Sequence, residues 1–301
     1  MKTELPPAGS PIANPCPPTS QGCATVDLYG AGRLVGGAFA GVPVHPAARA
    51  PFKMPGSLLS IAADPKTIKG AAAGVLTGIL YLAPGTLAGV GNLCAHASKG
   101  CAAACLFTAG RAGIFETINI ARIMRTRFLH ADRASFLDVL RGEIRELIRR
   151  AARLGMRPAV RLNGTSDLPW ESLAPEIFEE FHGVQFYDYT KSTRRALAFA
   201  KGELPANYHL TFSLSETNAA AAALVAAAGC NVAAVVDGHR TGQALKIAGE
   251  SFRTFDADRH DVRFLDRASP GGRGRVGVLK AKGKAKADRS GFVLRLEGAR
   301  K

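Results

Sequence analysis

Apolar positions along this chain fall into two alternating rhythms. Residues 75–83 (VLTGILYLA) form a continuous apolar run with β-branched members, the pattern of a fully buried strand. After a loop, residues 109–130 repeat apolar side chains near the helical period, at Ile114, Ile118, Ala121, Met124 or Arg125, and Phe128. A second helix over about 134–154 carries Phe136, Leu140, Ile144, Leu147, Ile148, Ala151 and Leu154 on one face. Its other face holds Arg141, Arg145, Arg149 and Arg150, an ordinary solvated stripe.

From there a short unit repeats. Strands are predicted at 158–162, 184–189, 208–213 and 231–236, with helices at 170–181, 192–202 and 215–229 between them. Strands separated by helical segments of this length read as parallel βαβ units. Together with residues 75–83 they predict an α/β fold, a TIM-like parallel (β/α) barrel or partial barrel, with a doubly wound sheet as the alternative. Either arrangement places ligands at the C-terminal ends of the strands. After Asp237 the regularity decays, and VRFLD followed by RVGVLKAKGKAKADRSGFVLRL alternates like a short hairpin with a basic turn. Three segments are therefore expected. Residues 1–55 form a proline-rich leader, expected to be disordered; 56–258 a barrel-like domain with a cysteine loop; and 259–301 a basic C-terminal β extension.

Composition narrows the class. A chain of 301 residues with 47% hydrophobic and 21% charged residues can bury a full core and is not disordered throughout. The net charge of +15 is uneven: residues 259–301 hold 13 Lys and Arg against 4 Asp and Glu. Such an excess points to a polyanionic partner. Lys280, Lys282, Lys284 and Lys286 alternate with small residues, and in a strand that spacing sets four ammonium groups on one side. This suits the phosphate backbone of DNA or RNA; a solvated basic tail is the plainer reading.

No secretory signal is expected, because proline breaks the opening MKTELPPAGSPIANPCPP where an apolar core would run. Between Lys69 and Lys99 there is no charged residue. The apolar part of that stretch is about half of the roughly 20 residues a spanning helix needs. No membrane partner is expected, and the predicted location is cytoplasmic.

Three cysteines, Cys94, Cys101 and Cys105, cluster in the loop between the first buried strand and the helix that follows it. Clustered thiols of this kind hold a metal or a cluster. Three thiolates without a fourth suit a four-iron, four-sulfur cluster with one iron open. Zinc is the alternative, with His96 as fourth ligand, though His96 sits cramped beside Cys94. Inert buried thiols are the third reading. Cys16 and Cys23 repeat the first spacing without a third cysteine, and Cys230 reads as a core residue.

The strand ends bring polar groups together. After the second strand come Arg161, Asn163, Gly164, Thr165, Ser166 and Asp167; after the third, Tyr189 and Lys191; after the fourth, Ser213, Ser215 and Glu216; after the fifth, Asp237 and His239. A helix cap explains part of each loop, but four polar loops on one rim outline a site for a small-molecule substrate. Asp167, Tyr189 and Lys191 are the candidate catalytic groups. Arg161, Asn163, Gly164, Thr165, Ser166 and Asp237 are the candidate cofactor contacts.

From about Lys66 onward the chain resembles the gene-product-eighty-eight family of bacteriophage and prophage proteins. The matching stretches are LTGILYLAP, NLCAHASKGCAAACLFTAGR, VRLNGTSDLPWE, FYDYTKS, VRFLD and LKAKGKAKADRSGF. That resemblance implies the cytoplasm of a bacterial host and assigns no activity. A more distant likeness is to radical S-adenosylmethionine enzymes, which carry a three-cysteine loop after the first barrel strand and a glycine-rich segment after the second. It implies a cluster on Cys94, Cys101 and Cys105, and S-adenosylmethionine against Asn163 to Asp167. Here the cysteines are separated by six and then three residues, against the usual three and two, and no Gly-Gly-Glu follows the second strand. Two readings emerge: an iron–sulfur barrel enzyme, or a basic nucleic-acid-binding phage protein with structural zinc or no metal.

Overall fold

A computed structural model describes residues 38–39, 42–61, 65–105, 107, 109–238, 242–267 and 271–296. A short edge strand, β1 (Leu59–Ile61), pairs antiparallel with β2 (Val75–Leu80). From β2 the pairing is parallel and in chain order through β3 (Arg157–Arg161), β4 (Gln185–Thr190), β5 (Tyr208–Ser213) and β6 (Val232–Asp237). A two-stranded hairpin, β7 (Leu245–Ile247) and β8 (Glu250–Phe252), stands apart. The main sheet continues through β10 (Val276–Leu279) to β9 (Thr254–Asp256), both parallel.

The helices are α1 (Pro65–Ala71), α2 (Lys99–Ala103), α3 (Glu116–Ala131), α4 (Arg133–Arg153), α5 (Trp170–Leu173), α6 (Pro175–Glu180), α7 (Thr193–Ala200) and α8 (Ala219–Ala227). Parallel strands laid down in order by crossovers of one hand receive their helices on one face. Accordingly, Leu76, Leu80, Val160, Phe186 and Leu210 pack against Phe136, Leu140, Ile144 and Leu147 of α4 and Ile177 and Phe178 of α6. Side chains of the alternate positions point the other way. There Val75, Ala159 and Tyr187 pack on Val262, Phe264 and Leu265. The sheet thus has one face covered by the long helices and a second face covered, among the described residues, by loops and short helical segments such as the 3₁₀ turn Arg263–Leu265.

The predicted strands and helices between 75 and 237 are present within a few residues of their expected ends. The helix expected over 170–181 is two pieces, because Pro175 cannot donate to the turn before it. The helix expected from 109 starts only at Glu116, after a 3₁₀ turn over Gly110–Gly113. Its buried residues include Ile123, Met124, Phe128 and Leu129, whereas Ile114 is 75% exposed. The helix is packed on more than one side: Ile123 meets Ala83 and Ala88, and Thr126 accepts the N–H of Ala83 at 2.8 Å.

A closed barrel is not found: β1 and β9, the two edges, do not pair among the described residues. Closure needs further βα units to carry the sheet around, and after β6 the described residues form only three-residue and four-residue strands. The expected C-terminal hairpin is also different. VRFLD contains a 3₁₀ turn, Arg263–Leu265, and β10 pairs with β6 instead of with β11 (Val293–Arg295). The Asn231 and Ala233 carbonyls accept the N–H groups of Phe212 in β5 and of Leu214 just after it, and the Asp237 carbonyl accepts that of Leu296. These alternate carbonyls point to one side, so β11 lies where β5 turns away after Ser213. The sheet forks at its C-terminal end, and the last segment fills the fork.

Residues 1–37 and 40–41 of the expected leader lie outside the described residues. The part described runs along α3: Arg127 donates to the Ala50 carbonyl at 2.7 Å, and the His45 N–H donates to Leu87 at 3.0 Å. Among the described residues no helix is long and apolar enough to cross a membrane, and the uncharged stretch after Lys69 forms the buried strand β2.

Candidate functional site

The cysteine loop leaves β2 and turns at Asn92, whose side-chain oxygen accepts the Cys94 N–H at 2.9 Å. Ser98 caps α2 by accepting the Cys101 N–H at 3.1 Å. Two further contacts fix that turn from outside. Glu216, from the β5–α8 loop, accepts the Ser98 hydroxyl and the Gly100 N–H, each at 2.7 Å. A Cβ on Gly100 would lie 2.2 Å from Ser290 Oγ and 2.8 Å from Glu216, so any larger residue would have to push both side chains away. The loop after β3 joins the same layer, with the Asp167 N–H donating to the Leu93 carbonyl at 2.8 Å.

These elements surround a cavity of about 300 Å³ on the loop-covered face, at the C-terminal ends of the parallel strands. It is lined by Cys94, Cys101 and Cys105 on one side and by Arg161, Asn163, Gly164, Thr165, Ser166, Asp167, Tyr189 and Lys191 across the strand ends. Lys280 and Lys282 close it from the far side, with Ala285 and Phe292 from the segment that fills the fork. The floor is small and apolar, with Leu214, Ala233 and Val235.

Asp237, Lys284 and Lys286 do not line the cavity. Asp237 pairs with Arg295 of β11 at 3.3 Å, because the inserted strand occupies that rim. His239 lies outside the described residues. Lys284 and Lys286 sit on a 3₁₀ turn, Gly283–Ala287, that opens with Gly283 at φ 55°. The four lysines therefore do not share one strand face: Lys280 and Lys282 turn toward the cavity, and Lys282 pairs with Asp258.

Burial pushes the Cys94 thiol well above the ordinary thiol range, with Cys105, Asp167 and Cys101 adding to the effect. Cys105 is pushed up to about 11, chiefly by burial, although Arg122 and Lys191 oppose the rise. Both are thiols in this cavity until a cation compensates the charge. Among the described residues no three His, Cys, Asp or Glu side chains already converge as around a single ion. His96 does not line the cavity.

Asp167 is committed to structure. One oxygen accepts from Arg195 at 2.7 Å and the other from the Lys191 N–H at 2.8 Å. Arg195 is buried; it also binds both oxygens of Glu171, at 2.6 and 2.8 Å, and the Tyr208 hydroxyl at 3.0 Å. Asn163 is used up as well: its oxygen accepts from Ser166 and Leu168, and its amide donates to Leu168 and Asp188. Thr165 donates to the Leu82 carbonyl. Gly164 is a glycine because a Cβ would meet Tyr81, Leu80 and Ile79 within 2.9 Å. The loop is a scaffold whose side-chain donors are spent internally. Arg161 pairs with Asp261 at 2.9 Å and stacks on Tyr189, its guanidinium 4.7 Å from the ring centre. Burial pushes the Tyr189 hydroxyl up to about 12. Lys191 reaches the Ser213 hydroxyl at 2.8 Å.

The gene product 88 family model matches residues 58–296, which takes in every strand, the cysteine loop and all the cavity-lining residues except Phe39. The chain belongs to that family. No curated protein and no solved structure matches it. In this gene product 88 chain, Glu216, Arg195, Glu171 and Asp261 are the supporting residues that sequence reasoning missed as such. Glu216 follows a strand and reads locally as a helix cap. Arg195 follows the exposed Arg194 in α7, and nothing local marks which of the two arginines is buried.

Proposed function

We propose that the protein is an iron–sulfur enzyme acting on a small molecule, with Cys94, Cys101 and Cys105 holding the cluster. One observation carries the reading. All three cysteines, spread over twelve positions, line the same cavity as Tyr189, Arg161 and Lys191 at the strand ends. A four-iron cluster spreads its thiolates over separate irons, so it calls for a thiol-lined cavity rather than ligands already focused on one point. When bound, such a cluster supplies an open iron for a substrate atom or for electron transfer.

The chain's own residues would divide the remaining work. Glu216 and Gly100 hold the cysteine helix, and Asp167 with Arg195 hold the Lys191 backbone. Lys191 places positive charge beside the thiols, favouring their ionised form. Tyr189 and Arg161 form a flat wall, and the segment at 285–292 shields the cavity from water. S-adenosylmethionine is not part of this reading: the side-chain donors that its carboxylate would need on Asn163, Thr165 and Ser166 are already used.

Anaerobic purification with iron and sulfide analysis tests the proposal. About four irons per chain with matching sulfide are expected. Replacing Cys94, Cys101 or Cys105 with alanine should remove them, while Cys230→Ala should not. Stoichiometric zinc without sulfide, or no metal after reconstitution, would end it.

A further inference from the structure

The carboxylates that line the cavity are already engaged. Asp261 is paired with Arg161, Asp258 with Lys282, and Asp167 with Arg195 from behind the wall. Lys191 has no such counterpart: its ammonium meets the Ser213 hydroxyl and the Phe292 ring, 5.8 Å away. Among the described residues no carboxylate lies within ion-pair distance of it. Lys280 contributes its backbone N–H to Asp258 at 2.8 Å, and its ammonium is at the exposed rim of the same cavity. A half-buried ammonium with only a hydroxyl partner gains when a ligand brings the negative charge.

We infer that the cavity takes a small phosphate ester, its phosphate between Lys191 and Lys280 and its apolar body over Leu214, Ala233 and Val235. Phosphate fits better than carboxylate. Lysine ammoniums and a hydroxyl are point donors from several directions, suited to a tetrahedral dianion. The guanidinium fork that would favour a carboxylate, that of Arg161, is already paired and stacked. The volume of about 300 Å³ admits a small metabolite. This inference rests on the reading of the cavity as a reaction site, but not on the identity of the metal.

The test is calorimetric titration of the full chain, purified anaerobically with its iron counted, using inorganic phosphate and, in parallel, acetate. Phosphate should bind and acetate should bind at least tenfold more weakly. Lys191→Met and Lys280→Ala should each weaken phosphate by about tenfold, the loss of one charge-assisted contact. Lys286→Ala, outside the cavity, should change nothing. Lys280 is exposed, so its variant reports even where Lys191→Met folds poorly. No phosphate binding at millimolar concentration, equal binding of acetate, or indifference to both cavity variants would overturn the inference. A full iron count beside absent phosphate binding would sink this inference alone. Absent iron beside the expected phosphate profile would sink the cluster alone.

Discussion

Glu216 accepts the backbone N–H of Gly100 at 2.7 Å, which ties the loop after β5 to the first turn of the cysteine helix. With its other oxygen on Ser98, one carboxylate holds two groups that no other described contact fixes in that way. Cys101 in α2 and Cys105 just beyond its end therefore depend on a residue more than 100 positions away.

Glu216→Ala should loosen that turn. The lost acceptor costs about 1–3 kcal/mol through the donors left behind, measured as a lower midpoint in urea. Iron retention during anaerobic purification should fall with it. Gly100→Ala should do the same, since its Cβ would collide with Ser290 and Glu216. Normal stability and iron content in both variants would refute the clamp.

Arg195 neutralises two buried carboxylates, Asp167 and Glu171. Arg195→Ala should destabilise by about 3–5 kcal/mol, because it strands those charges. The triple change Arg195→Met, Asp167→Leu, Glu171→Leu should recover much of the loss in thermal unfolding, as apolar replacement of a buried ion network does.

Asp188 faces the helical side of the sheet and accepts from Asn163 and Tyr208. Burial pushes its carboxyl up to about 7, against Arg161 and the hydrogen bonds, which pull it down. A folded-state value above the unfolded one means the native state holds the proton more tightly. Its contribution is full below about pH 4 and is lost as pH rises through about 7. The stability of the native protein minus that of Asp188→Asn should therefore fall across that window. A difference that is flat, or that rises with pH, would contradict the assignment.

Of the four exposed lysines of the basic segment, Lys284 and Lys286 lie away from the cavity that Lys280 and Lys282 line. Replacing Lys284 and Lys286 with alanine should reduce the log–log salt slope of any DNA or RNA binding through this segment by about 1.5, at 0.7–0.9 per contact. A drop of 3 or more on removing all of Lys280, Lys282, Lys284 and Lys286 would mean that the cavity lysines also face nucleic acid.

Much of the fold was legible because the repeated units are local. Hydrophobic period, helix length and intervening turns lie within windows of about 30 residues, so β2 to β6 and their helices could be read in order. The cysteine loop and the polar loops after each strand were legible as a set for the same reason: parallel strands in sequence share one C-terminal rim. The expected stripe of four lysines failed because strand or turn at 280–287 is decided by what the segment packs against. Asp237 failed similarly, since a strand from residue 293 onward took its place on the rim.

By itself the sequence determined the parallel α/β order, the three-thiol loop and the end of the strands at which polar loops would gather. Those properties follow from periodicity and chain direction, which neighbouring residues set. The tertiary structure alone decided that the sheet stays open and forks, that Asp167 is a structural anion for Arg195, and that Lys191 faces the cavity without a carboxylate. Each of these depends on which side chains meet across 20 to 120 positions of chain, and charge pairing at that range is chosen by burial in the finished fold.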